Sequence, residues 1–68
     1  MYVIAKENHR GVLEYLRDGW TYEDAYTDDL GHALIFENLT DLEKVKSENE
    51  QIGLVEVDED GGLLFKGI

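Results

Sequence analysis

The chain has 68 residues, a formal net charge of −10 and neither cysteine nor proline. This length predicts a single domain over residues 1–68, and the absence of thiols excludes disulfides and thiolate zinc sites as supports for its small core. The negative charge disfavours direct contact with nucleic acids and anionic membranes, which would repel it. With no long apolar run and no leader sequence visible, a cytoplasmic location is expected.

Two strand-like segments with a glycine turn between them predict a β-hairpin at the start of the chain. Residues 2–6 are a short segment rich in β-branched and aromatic residues, which predicts the first strand. Residues 12–17 predict the returning strand. In that second strand Leu13 and Tyr15 share one face. The turn between the strands falls at residues 8–11, where Gly11 permits a positive φ.

The middle of the chain is rich in acids and aromatics. Asp18-Gly19 indicates a turn, and Thr21 followed by Asp24 has the spacing of a cap on a short helical turn. Asp29 is placed to cap a further turn over residues 30–33. Residues 34–37, three apolar residues followed by a glutamate, then predict a buried third strand.

A capping box marks the main helix. Thr40 as N-cap, with Glu43 three residues later, predicts a helix whose apolar side continues to Ile52 and which Gly53 terminates. Residues 54–58 then predict a strand, residues 60–62 a turn, and residues 63–66 a final strand paired with the one before. The order β-β-β-α-β-β predicts an α+β fold, with one helix on one face of a small, mostly antiparallel sheet.

The sequence offers no catalytic constellation. Ser47 is the one serine and no nucleophile motif surrounds it; His9 and His32 lie in no paired metal-ligand motif. Residues 56–61 begin like a calcium loop, yet Gly67 stands where such a loop requires glutamate. We therefore predict no catalytic residue, no metal site, no cofactor and no enzymatic activity.

Two acidic clusters, one of them mixed with aromatics, predict a partner-binding surface of nine residues. On a strand, Glu56, Asp58 and Asp60 would form a row of anions at about the spacing of phosphates along a nucleic-acid strand. Alternatively the acids serve solubility alone, and Trp20 is an aromatic of the core or one that caps a hairpin. The predicted binding residues are Trp20, Tyr22, Asp24, Tyr26, Asp28, Asp29, Glu56, Asp58 and Asp60.

Several of these elements resemble a known kind of small protein. The chain contains Gly19-Trp20-Thr21, then Asp28-Asp29-Leu30, Ala33 and Phe36, followed by a capped helix and a strand. Over residues 2–57 this resembles small open reading frames of bacteriophages and prophages, which read strand, strand, W-T, D-D-L-x-x-A-x-x-F, helix, strand. Some small acidic phage proteins inhibit host nucleases, CRISPR effectors or DNA-repair enzymes, so the resemblance implies such a role without identifying functional residues.

Charge, aromatics and resemblance together predict a phage-type protein that binds and inhibits or regulates a host protein. The expected partner is a nucleic-acid-handling enzyme such as a CRISPR effector, contacted through a surface that mimics DNA. The alternative is a structural or assembly module that forms a homodimer through a sheet edge and has no inhibitory role.

Overall fold

The fold is built on one sheet of antiparallel strands. The computed structural model describes residues 1–67, so Ile68, the last residue of the predicted domain, lies outside the described residues. The strands are arranged in the order β3-β2-β1-β4-β5, and every neighbouring pair is antiparallel. Their bounds are β1 Tyr2–Glu7, β2 Leu13–Leu16, β3 Tyr26–Thr27, β4 Gln51–Val57 and β5 Leu63–Gly67.

One α-helix lies on this sheet within residues 1–67. Helix α1 spans Leu39–Val45 and contacts β1, and a 3₁₀ turn at Leu30–His32 precedes it. The predicted α+β class, with a helix on one face of a small antiparallel sheet, is confirmed. The cap predicted at Asp29 is also confirmed, because its carboxylate accepts a hydrogen bond from the Gly31 N–H at 2.9 Å.

The core consists of two apolar clusters on opposite faces of the sheet. Val3 and Ile4 are both fully buried, and as neighbours in a strand they point to opposite faces. The Ile4 cluster lies on the helix side and includes Leu16 and Leu42. The Val3 cluster lies on the other side and contains Val3, Ala33 and Val55, with Tyr15, Leu30, Ile35 and Phe65 packed around them.

Residues 33–36, the wedge segment, connect these two faces. Ala33 and Ile35 pack in the Val3 cluster, whereas Leu34 and Phe36 pack in the Ile4 cluster. The Leu34 N–H donates to the Leu16 carbonyl at 2.8 Å, and Phe36 exchanges hydrogen bonds of 2.8 and 2.9 Å with Tyr2. The wedge segment therefore lies between the diverging ends of β1 and β2.

The third strand predicted at residues 34–37 is therefore wrong. The wedge segment has the alternation of a strand, but it pairs only through single bridges, at Ala33 and at Phe36. The third strand is instead β3, Tyr26–Thr27, paired with β2. After Thr21 the predicted cap contact forms, since Thr21 Oγ1 accepts a hydrogen bond from the Asp24 N–H at 3.1 Å, but no helical turn follows it. The backbones of Thr21 and Asp24 instead exchange two hydrogen bonds of 3.2 Å in a closed turn.

The helix begins earlier and ends earlier than the capping pattern predicts. Its N-cap is Asn38, whose Oδ1 accepts a hydrogen bond from the Asp41 N–H at 3.0 Å, so Thr40 lies inside the first turn. It ends at Val45, and both Ile52 and Gly53 belong to β4. Gly53 is thus a strand residue, contrary to the prediction that it terminates the helix.

Alanine substitutions at Asn38 and at Thr40 test which of the two residues caps α1. Asn38→Ala is expected to lower the free energy of unfolding by about 1 kcal/mol, because it leaves the Asp41 N–H without its side-chain acceptor. Thr40→Ala is expected to change it by less than about 0.5 kcal/mol, since alanine is the better helix former. Urea denaturation measures both, and a larger loss from Thr40→Ala would contradict the assigned cap.

The two hairpin turns, both predicted, have the same construction. Asn8 Oδ1 accepts hydrogen bonds from two backbone N–H groups of the first turn, 2.8 and 3.0 Å long, and Gly11 has φ 79°. Asp58 Oδ1 does the same between β4 and β5 at 2.9 and 2.7 Å, and Gly61 has φ 81°. Asp58 is therefore a turn-forming residue, which bears on its predicted role in binding.

Candidate functional site

Acidic side chains from three connections gather at one end of the sheet. Strands β2 and β4 both run antiparallel to β1, so the chain leaves them at the end where β1 begins. The wedge segment reaches the same end, because Phe36 pairs with Tyr2. We call this region the acidic end; its acids are Asp18, Glu23, Asp24, Glu37, Asp58, Glu59 and Asp60.

The first predicted acidic cluster is only partly available to a partner. Asp24 forms an ion pair with Arg17. Asp29 caps the 3₁₀ turn, and its Oδ2 lies 3.3 Å from His32 Nδ1. Asp28 is exposed, and its carboxylate makes no hydrogen bond or ion pair within residues 1–67, yet it lies beyond β3 and away from the acidic end.

The second predicted cluster does not form a row of anions. Strand β4 ends at Val57, and the half-buried Asp58 turns its carboxylate onto the backbone of its own turn. Glu56 lies in the strand, with Oε2 3.0 Å from Lys66 Nζ. Asp60 and its neighbour Glu59 are the exposed acids of this turn, so the turn presents a pair of free carboxylates to solvent.

The predicted aromatics lie beside the acidic end. Trp20 and Tyr22 are 42% and 98% exposed, and their rings meet edge to face with centroids 6.2 Å apart. Trp20 belongs to neither buried cluster, so the alternative that places it in the core is wrong. Tyr26 is half-buried against the Ile4 cluster.

These aromatics line a cleft that also contains a buried carboxylate. Its volume is ≈ 240 Å³, and Glu50, 8% exposed, contributes to its wall. Glu50 was not predicted as a site residue, and no local signal identifies it, since its burial depends on β3 and the loop before β3 closing over it. The cleft residues are Leu16, Trp20, Thr21, Tyr22, Ala25, Tyr26, Val45, Ser47 and Glu50.

Hydrogen bonds fix the Glu50 carboxylate in this cleft. Its Oε2 accepts from the Tyr26 hydroxyl at 2.5 Å, and its Oε1 accepts from the Ser47 N–H at 2.6 Å. Burial, this hydrogen bond and the negative charges of Glu50 and Glu14 raise the pKa of Tyr26 to about 12. Lys6 Nζ lies over the Tyr26 ring, 4.3 Å from its centroid and within cation–π range.

The tyrosine titration offers a direct check of this arrangement. We expect one of the four tyrosines to ionise near pH 12 rather than near pH 10, and Tyr26→Phe to abolish that late step. Because the unfolded chain loses this proton near pH 10, the Tyr26 contribution to stability is complete below pH 10 and declines towards pH 12. Tyrosinate absorbance measures the titration, and an unchanged curve in Tyr26→Phe would contradict the assignment.

The described residues form no metal-binding cluster and no membrane-spanning helix, and the chain matches no known protein. Within residues 1–67, no group of three or more His, Cys, Asp or Glu side chains is arranged to hold a metal ion. No described helix is long and apolar enough to cross a membrane. No protein-family model matches the chain, and no curated protein or solved structure matches it. The phage resemblance therefore stays a prediction.

Proposed function

We propose that this protein binds a host protein that handles nucleic acid, such as a CRISPR effector, and inhibits or regulates it. In this proposal the acidic end occupies the partner's basic nucleic-acid channel, in the cytoplasm of a phage-infected bacterium, and the chain has no catalytic role. The observation that carries the proposal is the convergence of acids from three separate connections at one end of a single sheet.

The exposure of the acids supports this proposal. Thirteen of the sixteen acidic residues are exposed, and among residues 1–67 only Asp24 and Glu56 pair with an arginine or lysine. The loop before β3 and the turn before β5 lie at opposite edges of the sheet, whose outer strand axes are roughly 19 Å apart at the usual strand spacing of about 4.8 Å. A charged end of this width can displace nucleic acid from a basic groove, and the counterions released there favour binding.

Two charge-reversal sets test the location of the binding surface. The first set, Glu23→Lys, Glu59→Lys and Asp60→Lys, changes the acidic end at exposed side chains that make no described hydrogen bond. The control set makes the same charge change elsewhere, at Glu7, Glu43 and Glu48. We expect the first set to reduce partner capture from host lysate at least about tenfold and to flatten its salt dependence, and the control set to keep most of both.

The outcomes of this experiment are distinct. Displacement of the captured partner by added DNA or RNA supports occupation of a nucleic-acid channel. Equal losses from both variant sets would show that net charge alone governs capture. Undiminished capture by the first set would exclude the acidic end.

Self-association is the second candidate, and the free edge of β5 favours it. Within residues 1–67 no strand covers this edge, and Leu64 on β5 is 46% exposed. Pairing of β5 with β5 of a second copy would give a homodimer with a continuous sheet. Sedimentation over a range of concentrations tests it: a homodimer that Leu64→Lys dissociates supports this function, and a monomer throughout excludes it.

A further inference from the structure

We propose that the cleft around Glu50 is an anchor site for one arginine side chain of the partner protein, with its guanidinium between the aromatic rings and the carboxylate. The inference deepens the proposed function, because it takes the partner to be basic and assigns one of its contacts. It rests on the depth, size and charge of the cleft rather than on the acidic end.

The arrangement of residues in the cleft matches a guanidinium. Glu50 is 8% exposed and lies deep, whereas Trp20 and Tyr22, at 42% and 98%, lie at the outer rim. An arginine entering past the rim would place its apolar stem against the rings and its planar head at the carboxylate. Aromatic faces and carboxylates are the two groups with which guanidinium interacts best.

The carboxylate of Glu50 has acceptor capacity left for such a ligand. It accepts one hydrogen bond on each oxygen, from Tyr26 and from Ser47, and a carboxylate offers about four acceptor positions. Those two bonds hold both oxygens in a fixed orientation before a ligand arrives. A guanidinium, with parallel N–H donors, suits a carboxylate held in this way.

The size of the cleft favours one side chain over a free metabolite. At ≈ 240 Å³ it is smaller than the ~300–1,000 Å³ of pockets that enclose drug-sized ligands. The neighbouring Tyr26 ring already has a cation of this chain, the Lys6 ammonium, 4.3 Å from its centroid. An apolar or anionic occupant would cover the Glu50 carboxylate without supplying an opposite charge, which is costly.

A peptide titration tests the site without the partner. The probe is acetyl-Gly-Arg-Gly-amide, and the control replaces arginine by citrulline, which has the same shape and no charge. Trp20 is the one tryptophan of the chain, so its fluorescence reports on the cleft. We expect saturable binding of the arginine peptide with a Kd on the order of 1 mM and at least about tenfold weaker binding of citrulline.

Variants of the chain assign the binding to the cleft. Glu50→Gln should weaken the arginine peptide at least about tenfold, and Glu48→Gln, the same change at an exposed position, should leave it unaltered. Should Glu50→Gln fold poorly, Ser47→Phe decides the question, because it fills the mouth of the cleft and retains the backbone N–H that Glu50 uses.

Equal binding of the arginine and citrulline peptides would overturn the inference. So would normal arginine binding by folded Ser47→Phe. Because the titration contains no partner, its failure is distinguishable from failure of the proposed function, which the charge-reversal sets test at residues outside the cleft.

Discussion

Replacing Leu42 by alanine is expected to lower the free energy of unfolding by about 3 kcal/mol. The Leu42 side chain is fully buried, and it is the residue through which α1 packs in the Ile4 cluster. Truncating such a leucine removes apolar burial and leaves a cavity, a change that costs ~2–5 kcal/mol. A helix of seven residues has little stability of its own, so α1 depends on this contact to remain helical.

The total stability of a chain this short makes the effect large. At ~0.05–0.15 kcal/mol per residue, a domain of this size is stable by roughly 3–10 kcal/mol. Urea denaturation followed by circular dichroism measures the loss. Leu39→Ala is the control within the same helix, because Leu39 is 38% exposed and should cost less than about 1 kcal/mol. Equal losses from the two variants would contradict the docking of α1 through Leu42.

Gly53→Ala is expected to destabilise the protein by about 2 kcal/mol, although it adds a single methyl group. A Cβ at Gly53 would lie 1.8 Å from Phe65 Cε2, so the ring must leave its position. That ring packs in the Val3 cluster, and its centroid is 5.4 Å from that of Tyr15. Overpacking of this kind costs ~1–3 kcal/mol, and 2 kcal/mol corresponds to a fall in Tm of roughly 8–16 °C.

The residue paired with Gly53 provides a matched control. Gly67 lies directly opposite on β5, and a Cβ there would have no atom within 4 Å. Gly67→Ala should therefore change Tm little. In a Phe65→Ala background, Gly53→Ala should become nearly neutral, because the ring that it displaces is gone. An undiminished loss in that background would show that the clash is not with Phe65.

The parts of the fold that sequence predicts well are those whose signals are local. The two hairpins follow from strand alternation and from turns in which Asn8 and Asp58 bond to nearby backbone. The cap at Asp29 is likewise decided within three residues. The α+β class then follows from the order of these elements together with a capped helix.

The parts of the fold that the sequence does not predict depend on contacts between segments that are distant along the chain. Glycine is a residue that commonly terminates helices, which is what the sequence predicts for Gly53. Only the position of the Phe65 ring shows why glycine is required at this position of the strand. Asparagine and threonine both cap helices well, and only the structure shows that Asn38 Oδ1, and not Thr40, accepts the hydrogen bond at the start of α1.

The candidate site also contains residues that the sequence predicts and residues that it does not. Trp20 and Tyr22 could be selected as candidates from sequence, because they stand among acids in a segment without valine, leucine or isoleucine, but the sequence leaves open whether Trp20 lies in the core. The burial of Glu50 could not be predicted from sequence, since it is created when β3 and the loop before it close over the polar turn that contains Glu50. The sequence places Asp58 in the binding surface through its charge and its strand spacing, whereas its carboxylate accepts hydrogen bonds from the backbone of its own turn.

The wedge segment has a consequence for how this protein loses its structure. Because Ala33 and Ile35 belong to one face and Leu34 and Phe36 to the other, withdrawing the segment opens both clusters at once. Partial unfolding that spares one face is thereby suppressed, and the domain should melt in a single cooperative transition. Amide hydrogens of β1 and of the wedge segment are expected to exchange with the same opening free energy, that of global unfolding.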